Sequence, residues 1–179
     1  HSGIAETRLR SRDPERALVE SEQAERLDPD NQLNIARKGL AWRLLGDPRE
    51  AWLNDYERLV LHFDLEPPVG FSDMSAFNRE LNDFLSGLHA AERHPLDQSL
   101  RNGTQTQGSI FRQRLDLVDR LRLTIDEAVQ RYIRDMPEDP VHPVFRRKRK
   151  GFAYAGSWSS RLGDRGFHTN HVHPLGWIS

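Results

Sequence analysis

The sequence predicts an α+β protein in which helices come first and a β-domain follows. Up to residue 136, apolar residues recur mostly at the three- and four-residue spacing of helices, and helix-capping residues separate the segments. After Pro137, aromatic residues alternate with glycine and serine, which is typical of strands joined by turns. We therefore expect a helical module over 1–65, helices and a polar loop over 66–136, and the start of a β-domain over 137–179.

The first 65 residues carry local helix signals. Asp13-Pro14 and Asp47-Pro48 each place a capping aspartate before a proline at the first helical position. A helix over about 31–45 should end at Gly46, whose freedom to adopt a positive φ suits a tight turn. Ala51 soon after this glycine gives a register that resembles the tetratricopeptide repeat, where small residues let paired helices approach closely. An ordinary helical hairpin would show the same pattern.

The middle of the chain is predicted to hold two further helices separated by a loop. We expect Ser75 to cap the first helix and His94-Pro95 to end it. The segment 97–108 has too few apolar residues for a buried element, so it is predicted to be a loop. A long helix should cover about 112–135, with exposed ion pairs between its aspartates and arginines.

The predicted β-domain begins with two strands, over about 151–162 and 166–173. They should pair as a hairpin, because Gly163-Asp164-Arg165-Gly166 has the composition of a turn.

Charge and composition exclude several classes of protein. The chain has no cysteine, which excludes disulfides, zinc–cysteine sites and thiol catalysis. The formal net charge is −1, so no overall field attracts nucleic acid, and the basic run Arg146–Lys150 is better explained as a solvated connector than as a phosphate contact. No apolar run reaches the roughly 18 residues that cross a bilayer. We expect a cytoplasmic protein without a nucleic-acid or membrane partner.

Three histidines lie close together near the C-terminal end, at His168, His171 and His173. In a β-strand His171 and His173 would share one face, and His168 would point to the other. Two imidazoles on one face suit a divalent metal such as Fe, Zn, Cu or Ni, with a further ligand from elsewhere. A polar strand with hydrogen-bonded histidines is the alternative.

These residues also carry a family resemblance. A Ser157-Trp158 strand, then Asn170-His171-Val172-His173-Pro174 running into Gly176-Trp177-Ile178-Ser179, is similar to 2-oxoglutarate/Fe(II)-dependent oxygenases that carry N-terminal tetratricopeptide repeats. The segment from Pro95 to Thr106 is similar to another stretch of that family.

The resemblance implies a double-stranded β-helix (jelly-roll) domain, with Fe(II) and 2-oxoglutarate as cofactors in a hydroxylase-type oxidation of an unknown substrate. Such enzymes usually hold iron with two histidines and one carboxylate. By position His171 matches the first ligand, and His173 stands where the carboxylate is usual. We expect the chain to end part-way through the domain, before the later histidine and the basic residue that grips 2-oxoglutarate.

Five residues are candidates for contact with cofactor or substrate. Asn170 and Trp177 belong to the motif, and Arg161 could reach an anionic ligand, although a surface arginine explains it better. Arg101 and Gln105 could line the mouth of the site, and a structural polar loop explains them equally well.

Two other functions stay open. One is a non-catalytic helical-repeat module that binds a protein partner and carries a degenerate β-domain. The other is a cupin-like metal-dependent isomerase, which would bind metal without 2-oxoglutarate turnover. The remaining histidines within helices or loops lack paired spacing and are interpreted as structural: His62, His89, His94 and His142.

Overall fold

The computed structural model describes residues 1–89, 99–174 and 176–178. These residues combine helices with an antiparallel pair of strands, which confirms the mixed α+β class. The helices are α1 (Ser2–Arg10), α2 (Pro14–Leu27), α3 (Gln32–Leu45), α4 (Arg49–Leu53), α5 (Tyr56–Leu59), α6 (Met74–His89) and α7 (Asp116–Asp135). The strands are β1 (Leu100–Gln105) and β2 (Ser160–His168), and short 3-10 turns cover Ile110–Arg112 and Phe145–Arg147.

The chain forms two compact units. A helical unit contains His1–Leu61, Asp135–Lys150 and Val172–Ser179. A mixed unit contains His62–Arg134 and Gly151–His171.

Local capping explains where the first helices of the helical unit begin and end. The Asp13 carboxylate accepts a hydrogen bond from Arg16 N at 3.3 Å, and Asn31 Oδ1 accepts one from Leu33 N at 3.1 Å. Gly46 ends α3 with a φ of 67°, in the left-handed region that favours glycine. These three helix boundaries agree with the prediction.

The sequence after Asp47-Pro48 predicts one helix that runs through Ala51, Trp52, Tyr56, Leu59 and Val60, and the structure interrupts it. It breaks at Asn54, because Asp55 caps a new turn by accepting from Arg58 N, so that α4 and α5 replace one continuous helix. Ala51 is exposed, so it does not provide the close helix approach that was expected of it. Gly39 does so instead: a Cβ there would lie 3.0 Å from Leu53 Cδ2.

The core of the helical unit is aromatic and aliphatic. Ile35, Trp42 and Leu53 are buried together, with Leu18 and Trp52 packed against them. The segment that follows α7 is tied to this unit by its basic run, since Arg146 Nη2 lies 2.7 Å from Asp30 Oδ1 and donates to Pro29 O at 2.7 Å.

The mixed unit is built around α6, α7 and the β1–β2 pair. Asp73, rather than Ser75, caps α6 by accepting from Ala76 N at 2.8 Å. The predicted end of that helix at His94-Pro95 lies outside the described residues. The long helix was correctly predicted, although it begins at Asp116 after the Ile110–Arg112 turn.

The strands differ from the prediction. Part of the predicted loop is β1, and it pairs with β2, which runs through the predicted hairpin turn. Leu100 pairs with His168 and Gln105 with Ser160. Residues 163–166 form a bulge in β2 that lies opposite a single residue of β1, Asn102. This bulge accounts for their turn-like composition.

The bulge combines two residues of positive φ with two glycines that lie close to the backbone of the other strand. Asn102 and Arg165 both have a positive φ, of 52° and 59°. The Asn102 side-chain amide donates to Asp164 O. A Cβ on Gly166 would lie 2.4 Å from Asn102 O, and one on Gly163 would lie 3.1 Å from the same atom. Glycine at these two positions therefore lets β2 continue past the irregularity.

One face of the strand pair contacts a buried histidine of α6. His89 is 7% exposed, and its Nδ1 lies 2.8 Å from Thr104 Oγ1 while its Nε2 lies 3.0 Å from Ser159 Oγ. Both ring nitrogens thus have hydroxyl partners, which agrees with a structural role for this histidine.

Candidate functional site

The candidate site is the histidine segment that follows β2. The strand ends at His168, and the described residues of 169–174 have no regular secondary structure. The start of the segment is anchored to the residue before β1: Thr169 N donates to Ser99 O at 2.8 Å, and Ser99 Oγ lies 3.1 Å from His168 Nδ1. His171 and His173 lie outside the strand, so strand alternation does not decide their directions and does not separate His168 from them.

The structure instead brings His168 and His171 together. Their ring centroids lie 5.9 Å apart, with the ring planes tilted by 37°. His168 is half-buried and His171 is exposed. The two imidazoles form a pair at the end of the strand. The spacing of the histidines in the sequence did not reveal this pair, because the approach of the two rings depends on the path of the chain after His168.

The tautomer of His171 is set by a backbone contact. Its Nδ1 lies 2.8 Å from the carbonyl oxygen of Thr169, which can only accept, so Nδ1 carries the proton and donates. The Nε2 atom of a neutral ring then carries the lone pair. A metal-binding histidine usually has this arrangement, with its other ring nitrogen donating to a carbonyl or carboxylate.

Two other predicted site residues lie in the helical unit. His173 is half-buried. The indole Nε1 of Trp177 donates to Val144 O at 2.9 Å, which holds this part of the motif against the segment after α7.

The predicted contact residues on the strands do not share one face. Gln105 is opposite Ser160, and Arg161 is opposite Thr104. Since cross-strand partners share a face and neighbours along a strand alternate, Gln105 and Arg161 point to opposite faces of the pair. Arg161 is exposed.

The other two candidates lie near the strand ends. Arg101 is opposite Phe167, and its Nη1 donates to Leu100 O at 2.8 Å. Asn170 is exposed, two residues after the strand ends. Asn170 thus lies beside His171 in the chain, while Arg161 lies toward the other end of β2.

The histidine segment provides imidazole ligands that suit Fe(II), but these are only part of what an iron site requires. An iron site of the expected kind needs three side chains around one point. Over 1–89, 99–174 and 176–178, no group of three or more His, Cys, Asp or Glu residues converges in this way. The described residues offer, at His171, an imidazole with the tautomer of a metal ligand, and they do not assemble a complete set of iron ligands.

Comparison of the chain with protein-family models, with curated proteins and with solved structures finds no match. Within the described part of the chain, no helix is both long and apolar enough to cross a membrane.

Proposed function

We propose that this chain is part of a 2-oxoglutarate- and Fe(II)-dependent oxygenase that oxidises an unknown substrate in the cytoplasm. In this proposal residues 1–65 are a tetratricopeptide-like module that can recruit a protein partner, and residues 137–179 begin a double-stranded β-helix. The observation that carries the proposal is the hydrogen bond from His171 to Thr169 O, because it gives a histidine of the oxygenase-like motif the tautomer of a metal ligand.

His171 and His173 are the proposed iron ligands from this chain. His171 would bind through Nε2, while its Nδ1–H bond to Thr169 O keeps the ring from rotating. The contacts of Ser99 with His168 and Thr169 fix the point where the segment leaves the strand. Bound Fe(II) and 2-oxoglutarate would supply O2-dependent oxidation of a substrate C–H bond.

The remaining candidates position small molecules in this proposal. The exposed guanidinium of Arg161 is a cation that could pair with a carboxylate, and Arg101 and Gln105 would contact substrate. Asn170 and Trp177 flank the proposed ligands in the chain and would shape their surroundings.

An anaerobic Fe(II) titration tests the proposal. Wild-type chain should bind Fe(II), and His171→Ala and His173→Ala should each weaken binding by about tenfold or more, because each removes a ligand. His62→Ala is the matched control, since His62 is exposed and lies outside the motif. Added 2-oxoglutarate should strengthen the Fe(II) affinity of the wild type.

Three results would count against the proposal as stated. If the wild type and both variants bind iron equally poorly, the non-catalytic helical module becomes the better explanation. If His168→Ala weakens binding while His173→Ala does not, the strand-end pair holds the metal and the proposed ligand set is wrong. If iron binds but 2-oxoglutarate has no effect on its affinity, a cupin-like enzyme is favoured.

A further inference from the structure

A second candidate site lies within the mixed unit, in a cavity of about 480 Å³ between α7 and the segment 151–154. This volume is within the roughly 300–1,000 Å³ of pockets that bind small molecules. The polar lining comes largely from one stripe of α7, where Arg122, Asp126 and Gln130 follow each other at four-residue spacing. None of these residues belongs to the histidine segment.

Aromatic rings form the apolar part of the cavity. Phe111 and Tyr154 meet edge to face with centroids 4.7 Å apart, and Phe152 meets Tyr154 in the same way at 5.4 Å. Phe111, Phe152 and Tyr154 are all half-buried, and all three line the cavity. Such rings suit a ligand with a flat, apolar body.

Tyr154 also organises the charges of the cavity. Its hydroxyl donates to Asp126 Oδ1 at 2.6 Å. Burial, followed by this hydrogen bond, raises the pKa of Tyr154 above its usual value of 10, so the phenol is a donor at neutral pH and would remain one in moderately alkaline solution. Asp126 is therefore engaged by the wall of the cavity.

Two arginines line the cavity together with this single carboxylate. Arg122 Nε lies 3.8 Å from Asp126 Oδ2, which is longer than a hydrogen bond, so this ion pair does not saturate the donors of the guanidinium. The Arg122 guanidinium also lies 5.8 Å from the centroid of Tyr154, a cation–π distance that keeps it beside the ring. Arg112 lines the cavity as well and is exposed. Two cations against one anion leave the lining positive.

We propose that this cavity binds a small aromatic carboxylate, whose ring lies among Phe111, Phe152 and Tyr154 and whose carboxylate pairs with Arg122 and Arg112. Arginine is suited to this task because its planar guanidinium can donate two parallel hydrogen bonds to one carboxylate. The rings exclude water from one end of the ligand while the arginines hold the other. The site is independent of the proposed iron chemistry.

The experiment is a calorimetric titration of the whole chain with 2-naphthoate, in buffer that contains a chelator so that iron plays no part. The wild type should bind 2-naphthoate at least about tenfold more tightly than the uncharged 2-naphthalenemethanol. Arg122→Gln should lower the affinity by about tenfold, and Arg112→Gln should lower it by less, because Arg112 is not held against a ring. Arg114→Gln is the matched control, since Arg114 is exposed on the same stretch and does not line the cavity.

Further variants separate the contribution of the aromatic rings to the affinity from effects on folding. Phe152→Leu should weaken 2-naphthoate and 2-naphthalenemethanol equally, because it removes a ring and leaves the charges. Arg122→Lys retains the charge and should keep part of the affinity. Circular dichroism of each variant shows whether the chain is folded, which distinguishes a lost contact from a misfolded chain.

The proposal is overturned if 2-naphthoate does not bind, or if the Arg122→Gln, Arg112→Gln and Arg114→Gln variants all bind it equally well. It is also overturned if 2-oxoglutarate binds at this cavity more tightly than 2-naphthoate, because the rings would then contribute nothing to recognition.

Discussion

His142 and His171 show two uses of the same side chain in one molecule. His142 is 0% exposed: its Nε2 lies 3.2 Å from Leu53 O, and its Nδ1 accepts from Val144 N at 3.2 Å. His171 is exposed, and its Nδ1 donates to the carbonyl of Thr169. A fully buried histidine contributes to folding, whereas an exposed ring in a fixed tautomer can meet a ligand from solution.

The surroundings of the two rings strengthen this contrast. His142 stacks on Phe145 at a centroid distance of 4.3 Å and meets the edge of Trp52 at 5.0 Å, so its ring takes part in the core of the helical unit. The ring partner of His171 is His168, another imidazole, at 5.9 Å. We expect substitutions to affect stability in the first region and ligand binding in the second.

The largest expected effect is that of His142→Ala. It removes a buried ring and leaves Leu53 O and the amides of Val144 and Phe145 without their partner, so the free energy of unfolding should fall by about 3 kcal/mol. His142→Asn should cost less, about 2 kcal/mol, because its side-chain oxygen can still accept from those amides. Urea unfolding measures the loss, and hydrogen exchange of the Val144 and Phe145 amides localises it.

The matched comparison is His171→Ala, which should change the free energy of unfolding by no more than about 0.5 kcal/mol, because the ring is exposed. Equal losses in the two variants would show that exposure does not separate a structural histidine from an accessible one here.

Gly166→Ala should have the next largest effect. The added Cβ would meet Asn102 O at 2.4 Å, a contact between backbone and side chain that no rotamer can relieve. We expect a loss of about 2 kcal/mol, accompanied by weaker pairing of Leu100 with His168 at the strand end. Strand amide exchange would report this, and the histidine segment should lose its anchor at Ser99 at the same time.

Gly87→Ala is the control, and it should change the free energy of unfolding in the opposite direction. Gly87 is exposed on α6 and nothing lies within 4 Å of its would-be Cβ, so alanine should stabilise the helix by up to about 1 kcal/mol. If Gly166→Ala were equally harmless, the bulge would be adaptable, and the histidine segment would not depend on it.

The first helices of the helical unit and the strand pair of the mixed unit also differ in how far the sequence predicts them. The helices α2 and α3 follow from residues a few positions apart, namely the caps at Asp13 and Asn31 and the left-handed Gly46. Their boundaries could be predicted because the interactions are local. The break at Asn54 was missed because Asp55 competes as a cap within a segment that is otherwise suited to a helix.

The strand pair could not be derived from local pattern. Its partners are about sixty residues apart in the chain, and Gly163 and Gly166 have turn composition for a reason that appears only when Asn102 lies opposite them. The candidate sites depend on the same kind of contact. The aspartates of α7, Asp126 among them, were predicted to form exposed ion pairs with arginines of the helix. Tyr154, which makes Asp126 part of the wall of a cavity, comes from a distant segment. His171 and His173 as iron ligands stay a prediction.

The burial of His142 also predicts a pH dependence of the stability. Burial lowers the pKa of His142 from its usual value of 6.5, against the opposing influence of Asp139 and of the carbonyl of Leu53. Below pH 6.5 the unfolded chain therefore binds a proton at this residue that the folded chain does not. The free energy of unfolding should fall as the pH drops from 6.5 toward the lower pKa of the folded state, and this contribution should be constant above that window.

Urea unfolding of the wild type and of His142→Asn across this range isolates the effect, because asparagine does not titrate. The difference in the free energy of unfolding between the two should shrink on acidification, by at most about 1.4 kcal/mol per pH unit for one proton. His62→Ala is the control variant, since it removes an exposed histidine. A difference that stays constant from pH 7 down to about 5 would mean that the buried ring accepts a proton as readily as an unfolded one. That outcome would contradict the enclosure that separates His142 from His171, because a ring with Nδ1 already accepting from Val144 can be protonated only by losing that bond.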